Sequence, residues 1–264
     1  ADTRTPDGFQ VNSDGFWTVS GQVQKRETPV QDLPTGLHEQ EGGLIYRDEG
    51  GELAANAWRS SDGSWYYFDA AGHAVKGWQY IDGYKFYFDE NACTLVQNLE
   101  GILSAQSFQI VVDRARCQVT VYAPDDGNGY IIPYRTFICS PGKENSQTPT
   151  GTFKTTRKTD GMLVESTYGQ YCTRLGNTNI LFHSVPGKTT SIHNITAEEY
   201  NKLGAPASHG CIRMTVADCK WIYDHCPSGT VVTVGDNLPA PFDRPEAEKI
   251  PEGQDWDPTD PEIG

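Results

Sequence analysis

The stretch Ser208-His209-Gly210-Cys211-Ile212-Arg213-Met214 places a cysteine directly after a His-Gly pair. A cysteine thiol attacks a carbonyl only as the thiolate, and a nearby imidazole can accept its proton. Glycine lets the backbone approach a developing negative charge closely, so N–H groups around Gly210 and Cys211 can form an oxyanion hole. The stretch therefore predicts that Cys211 is a nucleophile.

An upstream histidine is the candidate base. His183 closes the apolar, strand-like run 180–182, so we expect a rigid support for its imidazole. We expect it to take the Cys211 proton and to keep it as a stable ion pair at neutral pH. Two alternatives stay open: His183 only satisfies a strand end, or His193, ten residues further on in a loop-like stretch, is the base.

The region around these residues is predicted to be rich in strands. Four β-branched segments alternate with polar residues, at 108–112, 118–122, 130–138 and 230–234. One predicted helix begins with the capping box Thr196-x-x-Glu199 and ends at Gly204. Another begins near Thr215 and stops before Pro227. The predicted fold is mainly β: a mixed, β-sandwich-like catalytic domain with two short helices, preceded by a small β-hairpin repeat module.

The chain resembles the L,D-transpeptidase (YkuD-like) family over roughly residues 107 to 235. The signature of that family is a histidine followed later by Ser-His-Gly-Cys and then Arg or Asn. Here His183, the tetrapeptide 208–211 and Arg213 occur in this order. The segment Thr148-Pro149-Thr150-Gly151-Thr152-Phe153 also stands in family order.

The resemblance implies further roles. The carbonyl of Ser184 would orient the His183 ring, and no metal or cofactor would be needed. The implied substrate-binding residues are Ser208, His209, Arg213, Tyr168 and Tyr171. A structural salt bridge explains Arg213 equally well, and packing explains the tyrosines. The connection from His183 to Cys211 is longer than the family spacing, so the helix opened by Thr196 is expected to be an insertion that acts as a lid.

The implied function is two-step acyl transfer on peptidoglycan stem peptides. Cys211 would attack the carbonyl that joins the third residue of a tetrapeptide to its terminal D-Ala, and an acceptor amine would resolve the thioester as a 3-3 cross-link. Water as the acceptor would make the protein an L,D-carboxypeptidase, and an inactive wall-binding protein is a third hypothesis. Sortases need a Thr-Leu-x-Thr pattern that is absent here, and papain-like peptidases place Cys before His.

Upstream of this region the sequence repeats, because residues 58–69 return as 78–89. Each copy sets Asp-Gly between aromatic runs, which predicts a hairpin, and such hairpins must stack to be stable. Weaker copies lie around 43–48 and 14–17. Over 57–98 the pattern resembles the repeats of choline-binding and glucan-binding surface proteins. It implies aromatic sites for choline or wall glycan, for which the nearest equivalents are Trp58, Trp65, Tyr67 and Trp78. Alternatively, these rings are the core of the module.

Composition narrows the partners and the compartment. The net charge of -14, with 35 Asp+Glu against 21 Lys+Arg, argues against nucleic acid or an anionic membrane surface as the main partner. Seven cysteines without a C-x-x-C pair favour an oxidising compartment, although several buried unpaired thiols are the alternative. Cys117 and Cys139 are a candidate disulfide on neighbouring strands. We expect a secreted protein at the cell wall or surface of a Gram-positive bacterium, with no membrane span in this chain.

The predicted organisation has four parts: degenerate repeats or a linker over 1–56, aromatic cell-wall-binding repeats over 57–98, the catalytic domain over 107–235, and an acidic, proline-rich tail over 236–264. The tail has little to bury. It is expected to lie along the surface or to be disordered, with Trp256 as its single anchor.

Overall fold

The computed structural model describes residues 3–4, 10–11, 17–19, 22–23, 29–164 and 167–263. Contacts divide the chain into two compact units, Ala1–Gln79 with Tyr87–Leu95, and Tyr80–Phe86 with Val96–Gly264. Among the described residues, no helix combines the length and the apolar character that a bilayer crossing requires. The chain is mainly β, which confirms the predicted fold class.

The first unit is built from short antiparallel strands. Four of them pair in chain order: β1 (Thr3–Arg4), β2 (Gln10–Val11), β3 (Trp17–Val19) and β4 (Gln22–Val23). A 3-10 turn, Val30–Asp32, follows. Three hairpins then alternate with loops: β5 (Gly36–Gln40) with β6 (Gly43–Arg47), β7 (Ala57–Ser61) with β8 (Ser64–Phe68), and β9 (Gly77–Ile81) with β10 (Tyr84–Phe88), whose tip 80–86 belongs to the second unit.

The hairpin turns follow the predicted chemistry. Asp62 and Gly63 have φ values of 49° and 76°, and Asp82 and Gly83 have 52° and 83°. This left-handed pair matches the right-handed twist of the strands it joins. The weaker copy at 43–48 forms β6; of the copy at 14–17, residues 14–16 lie outside the described residues.

Backbone hydrogen bonds join each hairpin to the segment that follows the next hairpin. The N–H of Ala74 donates to the carbonyl of Leu44 at 2.8 Å, and the N–H of Leu95 donates to the carbonyl of Trp65 at 2.7 Å. Phe68 and Phe88, which close their hairpins, are fully buried. The hairpins are therefore stacked, as their small individual cores require.

The second unit contains a mixed sheet in the order β13-β12-β11-β18-β14-β15-β16-β17. Its strands are β11 (Gln109–Asp113), β12 (Gln118–Asp125), β13 (Gly129–Ile138), β14 (Gly151–Val164), β15 (Thr167–Leu175), β16 (Leu181–Ser184), β17 (Ile212–Met214) and β18 (Val231–Gly235). The pairs β11–β18 and β16–β17 are parallel, and the other pairs are antiparallel. A 3-10 turn, Glu144–Ser146, lies between β13 and β14.

Both predicted helices are present and capped as expected. α1 (Ala197–Tyr200) begins after Thr196, whose side chain accepts from the Glu199 N–H. α2 (Val216–His225) begins after Thr215, whose side chain accepts from the Asp218 N–H. α1 is shorter than predicted, because the chain continues to Gly204 as turns rather than as helix.

The C-terminal segment 236–263 has much more to bury than its composition suggested. Phe242 and Ile250 are buried, and the Phe242 carbonyl accepts from the Gln118 side chain. Asp257 is buried and accepts the Val216 N–H at 2.8 Å, at the start of α2. The segment is therefore a packed strap without regular secondary structure, with several anchors where only Trp256 was expected.

The seven cysteines all lie among the described residues, and all are free thiols. The predicted disulfide between Cys117 and Cys139 is therefore not formed, although the Cys139 N–H donates to the Cys117 carbonyl at 2.8 Å. Six of the seven are buried and Cys211 is half-buried. The cysteine count consequently gives no support to an oxidising compartment; the alternative of buried unpaired thiols is what the structure contains.

Candidate active site

The parallel pairing of β16 with β17 brings the two key residues of the sequence motif to one face of the sheet. In its register, Phe182 lies opposite Ile212 and His183 lies opposite Arg213. Side chains alternate along a strand, so Cys211, immediately before β17, projects to the same side as Arg213 and His183. Backbone hydrogen bonds between two strands therefore fix the relative placement of the candidate base and nucleophile.

These residues line one open pocket of about 390 Å³. Five of its side chains were predicted from sequence: Cys211, His183, Arg213, Ser208 and His209. The remaining wall comes from the end of the β14–β15 hairpin and from the segments just before and just after β16: Leu163, Thr167, Asn179, Ile180 and Pro186. The polar groups thus converge on the only half-exposed cysteine among the described residues.

The Cys211 thiol has a specific backbone environment. Its Sγ lies 3.7 Å from the Asn179 carbonyl oxygen, to which the thiol donates. Burial raises the pKa of Cys211 above the ordinary thiol value, while a hydrogen bond from the Leu181 backbone and the charge of Arg213 act in the opposite direction. The thiol is therefore protonated at neutral pH, with a backbone donor ready to stabilise the thiolate when it forms.

His183 is 3% exposed and is held by its own strand. Its Nδ1 lies 2.6 Å from the Ser184 carbonyl oxygen, the contact that the family resemblance implied. Because a carbonyl can only accept, Nδ1 carries the hydrogen and Nε2 keeps its lone pair. Burial is the main reason that the pKa of His183 falls to about 4; the Ser184 hydrogen bond raises it and the charge of Arg213 lowers it further.

These two pKa shifts argue against the expected ion pair as the resting state of Cys211 and His183. An imidazole with a pKa of about 4 beside a thiol of raised pKa is neutral at neutral pH. The predicted stable thiolate–imidazolium pair is therefore disfavoured, because burial penalises both charged forms. The arrangement instead allows His183 Nε2 to remove the thiol proton as general base while Cys211 attacks.

The turn before Cys211 is built by side-chain hydrogen bonds to the backbone. Ser208 Oγ accepts the Gly210 N–H at 3.0 Å and donates to the Cys211 carbonyl at 2.5 Å. Thr148, fully buried, donates to the Gly210 carbonyl at 2.8 Å and accepts the Gly142 N–H at 2.9 Å. The predicted segment 148–153 thus braces the nucleophile turn at Thr148.

This bonding also corrects the predicted oxyanion hole. The Gly210 N–H is already donated to Ser208, so it is not available to a developing oxyanion in this arrangement. The Cys211 N–H, by contrast, has no acceptor among the residues that the structure describes. Gly210 has φ +114°, a conformation that L side chains rarely adopt, so its requirement for glycine is conformational.

Family models match two parts of the chain. Residues 107–234 match the L,D-transpeptidase catalytic domain, and residues 55–98 match the choline-binding repeat. Residues 107–234 are the part of the chain that belongs to the L,D-transpeptidase catalytic-domain family.

Individual proteins match only part of the chain, and the chain covers less than two thirds of each of them. The Bacillus subtilis (strain 168) protein named "Putative L,D-transpeptidase YciB" is 48% identical over 54 residues, which cover 20% of this chain and 27% of that protein. Among solved structures, a fused Zn-dependent amidase/peptidase/peptidoglycan-binding protein from Clostridium acetobutylicum ATCC 824 is 29% identical, covering 49% of this chain and 52% of that chain with a TM-score of 0.37. The L,D-transpeptidase LdtMt1 in complex with imipenem is 24% identical, covering 49% and 59% with a TM-score of 0.38.

Other sequence-predicted residues lie outside the Cys211 pocket of the L,D-transpeptidase domain. Tyr171, with a φ of 50°, packs its ring edge-on against Tyr223 of α2 at 5.7 Å. Tyr168 lines a separate cavity on the other side of β16 and pairs through its backbone with Gly187. His193, the alternative base, is exposed, and its Nδ1 lies 2.9 Å from a carboxylate oxygen of Asp255.

Two residues that the sequence did not single out as site residues contact the predicted ones. Gly169 of β15 lies so close to His183 that a Cβ would come within 3.2 Å of the His183 Cβ and 3.3 Å of its Nδ1. Glu199 of α1 forms an ion pair with Arg213, with 2.8 Å between Oε2 and Nη1. No local sequence pattern marks Gly169 as a site residue. The sequence marks Glu199 only as part of a helix capping box.

The predicted ligand residues of the repeat module are half-buried: Trp58, Trp65, Tyr67 and Trp78. Trp58 contacts Tyr67 of the same hairpin at 5.2 Å and Phe88 of the next at 5.7 Å between ring centroids. Trp78 contacts Tyr87 at 5.1 Å. The rings thus both pack between hairpins and present part of their surface to solvent.

Proposed function

We propose that the protein is a peptidoglycan L,D-transpeptidase that forms 3-3 cross-links through a thioester on Cys211. The observation that carries this proposal is the shared pocket of Cys211 and His183, in which the Ser184 carbonyl fixes the His183 tautomer. The matching catalytic-domain family supports the reaction class.

In the first step, Cys211 Sγ attacks the carbonyl of the third stem residue while His183 Nε2 takes the thiol proton. The Cys211 N–H is the candidate donor to the oxyanion. The imidazolium returns its proton to the leaving D-Ala amine, and a thioester remains. Proton transfer during attack suits a neutral resting pair, because neither charge has to be held in the buried site beforehand.

In the second step, an acceptor side-chain amine attacks the thioester carbonyl and expels Cys211. His183 takes a proton from the amine as the new amide bond forms, and the thiol is regenerated. Water in place of the amine would give L,D-carboxypeptidase activity with the same residues. The pocket is open to both an amine and water. Analysis of the reaction products is therefore the measurement that distinguishes the two activities.

We also propose that the repeat module holds the enzyme on the cell wall outside the cell. The choline-binding repeat match and the half-exposed aromatic rings support this location. Choline, a quaternary ammonium ion, would be attracted to the ring faces of Trp58 and Trp78. A wall glycan is the alternative ligand of the same rings.

The first test is the intact mass of the protein after incubation with a carbapenem, beside Cys211→Ala. We expect one covalent adduct on the parent protein and none on the variant. Incubation with a disaccharide tetrapeptide then separates the activities: a 3-3 cross-linked dimer supports the transpeptidase, and a tripeptide alone supports the carboxypeptidase. A folded, reduced protein that forms no adduct and no product contradicts the proposal and favours an inactive wall-binding protein.

A further inference from the structure

The connection between β16 and β17 carries a carboxylate that contacts an arginine of the Cys211 pocket. Glu199 lies in α1, where its N–H is bound by the capping side chain of Thr196. Its Oε2 lies 2.8 Å from Arg213 Nη1, and its Oε1 lies 2.5 Å from Lys202 Nζ. The two oxygens of one carboxylate are thus divided between a surface lysine and an arginine of the catalytic pocket.

Arg213 depends on this contact. The Arg213 backbone is fixed on both sides of β17. On one side it pairs with His183 of β16, and on the other it exchanges two hydrogen bonds with the backbone of Ser140. The side chain is almost fully buried, and its Nε has no hydrogen-bond partner among the described residues. A buried guanidinium without a counterion is strongly destabilising, and Glu199 is its ion-pair partner here.

α1 is itself held by the C-terminal strap. Its Tyr200 belongs to a buried apolar cluster with five other residues: Ile138, Val185, Ile195, Leu203 and Ile250. Asn201 exchanges two hydrogen bonds with the Ile250 backbone, each 2.9 Å long. Glu199 therefore projects from a segment that the strap holds by packing and hydrogen bonds.

We propose that Glu199 is a positioning residue of the active site, which holds the Arg213 guanidinium in the Cys211 pocket and balances its charge. The effect of Glu199 on substrate binding rests on the proposed function. The effect of Glu199 on the Cys211 thiol is independent of the proposed function. In substrate binding, a fixed guanidinium presents its free donors to a substrate carboxylate without losing side-chain entropy.

The effect on the thiol follows from charge. Three ionisable or charged side chains share the pocket with Cys211: His183, His209 and Arg213. The Arg213 charge favours the thiolate, and Glu199 offsets that charge. Replacing the carboxylate by an amide of the same shape keeps a hydrogen-bond acceptor for Arg213 but removes the offset, so the thiolate becomes easier to form.

The test is the pH profile of Cys211 alkylation by iodoacetamide, measured on the peptide that contains Cys211. In Glu199→Gln we expect alkylation below the thiol pKa to be about 2- to 10-fold faster than in the parent protein, as expected for an opposite charge freed of its partner. Glu198→Gln is the matched control, because Glu198 contacts Lys202 but not Arg213. A Glu199→Gln profile that superimposes on both the parent and the control profiles, with an unchanged melting temperature, overturns the proposal.

A second variant keeps the question decidable if Glu199→Gln does not fold. Glu199→Asp retains the charge but shortens the reach, so we expect a parental alkylation profile with a KM for the tetrapeptide raised about 3-fold or more. A parental KM in this variant overturns the positioning role. The alkylation measurement needs no transpeptidase activity, so failure of the proposed function and failure of this inference give different results.

Discussion

Gly169 and His183 are in such close contact that any side chain at position 169 would press on the candidate base. A Cβ there would lie 3.3 Å from His183 Nδ1 and 3.1 Å from the Leu163 side chain. The Nδ1 is the atom that donates to the Ser184 carbonyl, so pressure from position 169 acts on the hydrogen bond that fixes the tautomer. The absence of a side chain at position 169 of β15 is therefore needed for the His183 ring on β16 to keep its orientation.

Gly169→Ala should therefore impair catalysis more than folding. We expect carbapenem acylation of Cys211 to slow by roughly 10- to 100-fold, because small misplacements of a catalytic group have large kinetic effects. Stopped-flow or mass-spectrometric acylation kinetics measure this, with circular dichroism as the folding control. Acylation at the parental rate would show that the imidazole moves aside without loss.

The pH dependence of two reactions tests the neutral resting pair. His183, with a pKa of about 4, is an unprotonated base above that pH, so acylation by a carbapenem should fall as the pH drops through about 4. Alkylation by iodoacetamide reports the thiolate alone. Because burial raises the pKa of Cys211, this rate should keep rising past about 8.5, the ordinary thiol value.

A resting thiolate–imidazolium pair predicts different profiles. Alkylation would then be fast and nearly constant between about pH 5 and 8, as for thiols of strongly lowered pKa. His183→Gln is the control for assignment, since it should remove the acidic limb of acylation. An acidic limb that survives in this variant would assign that pKa to another group.

Thr148 tests the brace of the nucleophile turn. Thr148→Val keeps the shape but leaves the Gly210 carbonyl and the Gly142 N–H without their partner. We expect the free energy of unfolding to fall by about 2 kcal/mol, since each lost buried hydrogen bond costs about 1–3 kcal/mol, and acylation to slow as the turn loosens. Thr190→Val, on the exposed surface, is the matched control and should leave both urea denaturation and acylation unchanged. Equal stability of the two variants would contradict the brace.

Asp125 should make part of the stability sensitive to acid. Its carboxylate pairs with Lys85 Nζ at 2.6 Å and accepts from Asn128 Nδ2 and the Tyr80 hydroxyl, both at 2.8 Å. These contacts, with Lys85 as the largest, lower the pKa of Asp125 to about 2. Because the folded-state pKa lies below the unfolded value of about 3.9, the stabilisation is complete above that value and is lost as the pH falls through about 2.

Asp125→Asn should therefore melt at a lower temperature than the parent protein at about pH 6, and the difference should disappear near pH 2. Asp126→Asn is the matched control, because Asp126 is the exposed neighbour. Thermal denaturation at both pH values measures the effect. A pH-independent difference for Asp125→Asn would mean that packing, rather than ionisation, explains it.

The sequence predicted what local patterns encode. The hairpin turns at Asp62 and Asp82, the caps at Thr196 and Thr215, and the strand that carries His183 all depend on a few adjacent residues. The hydrogen bond from His183 to Ser184 also lies between neighbours, so a motif could imply it.

What the sequence could not predict depends on distant contacts. The lowered pKa of His183 arises from burial by the whole domain, and this burial disfavours the expected ion pair. The Gly210 N–H appeared available until the structure placed Ser208 Oγ on it. The strap was expected to bury little, because the composition of 236–264 does not reveal that Ile250 completes a cluster built by residues far away in the chain.

The parallel pairing of β16 with β17 has a consequence for how such an enzyme can evolve. The register between His183 and Arg213 is set by strand hydrogen bonds and not by the length of the connection that carries α1. Insertions and deletions can therefore accumulate in that connection while the distance between base and nucleophile stays constant. Changes in the length of 185–207 can therefore alter the pocket wall at Pro186 without moving the strands that carry His183 and Arg213, provided that Glu199 keeps its contact with Arg213.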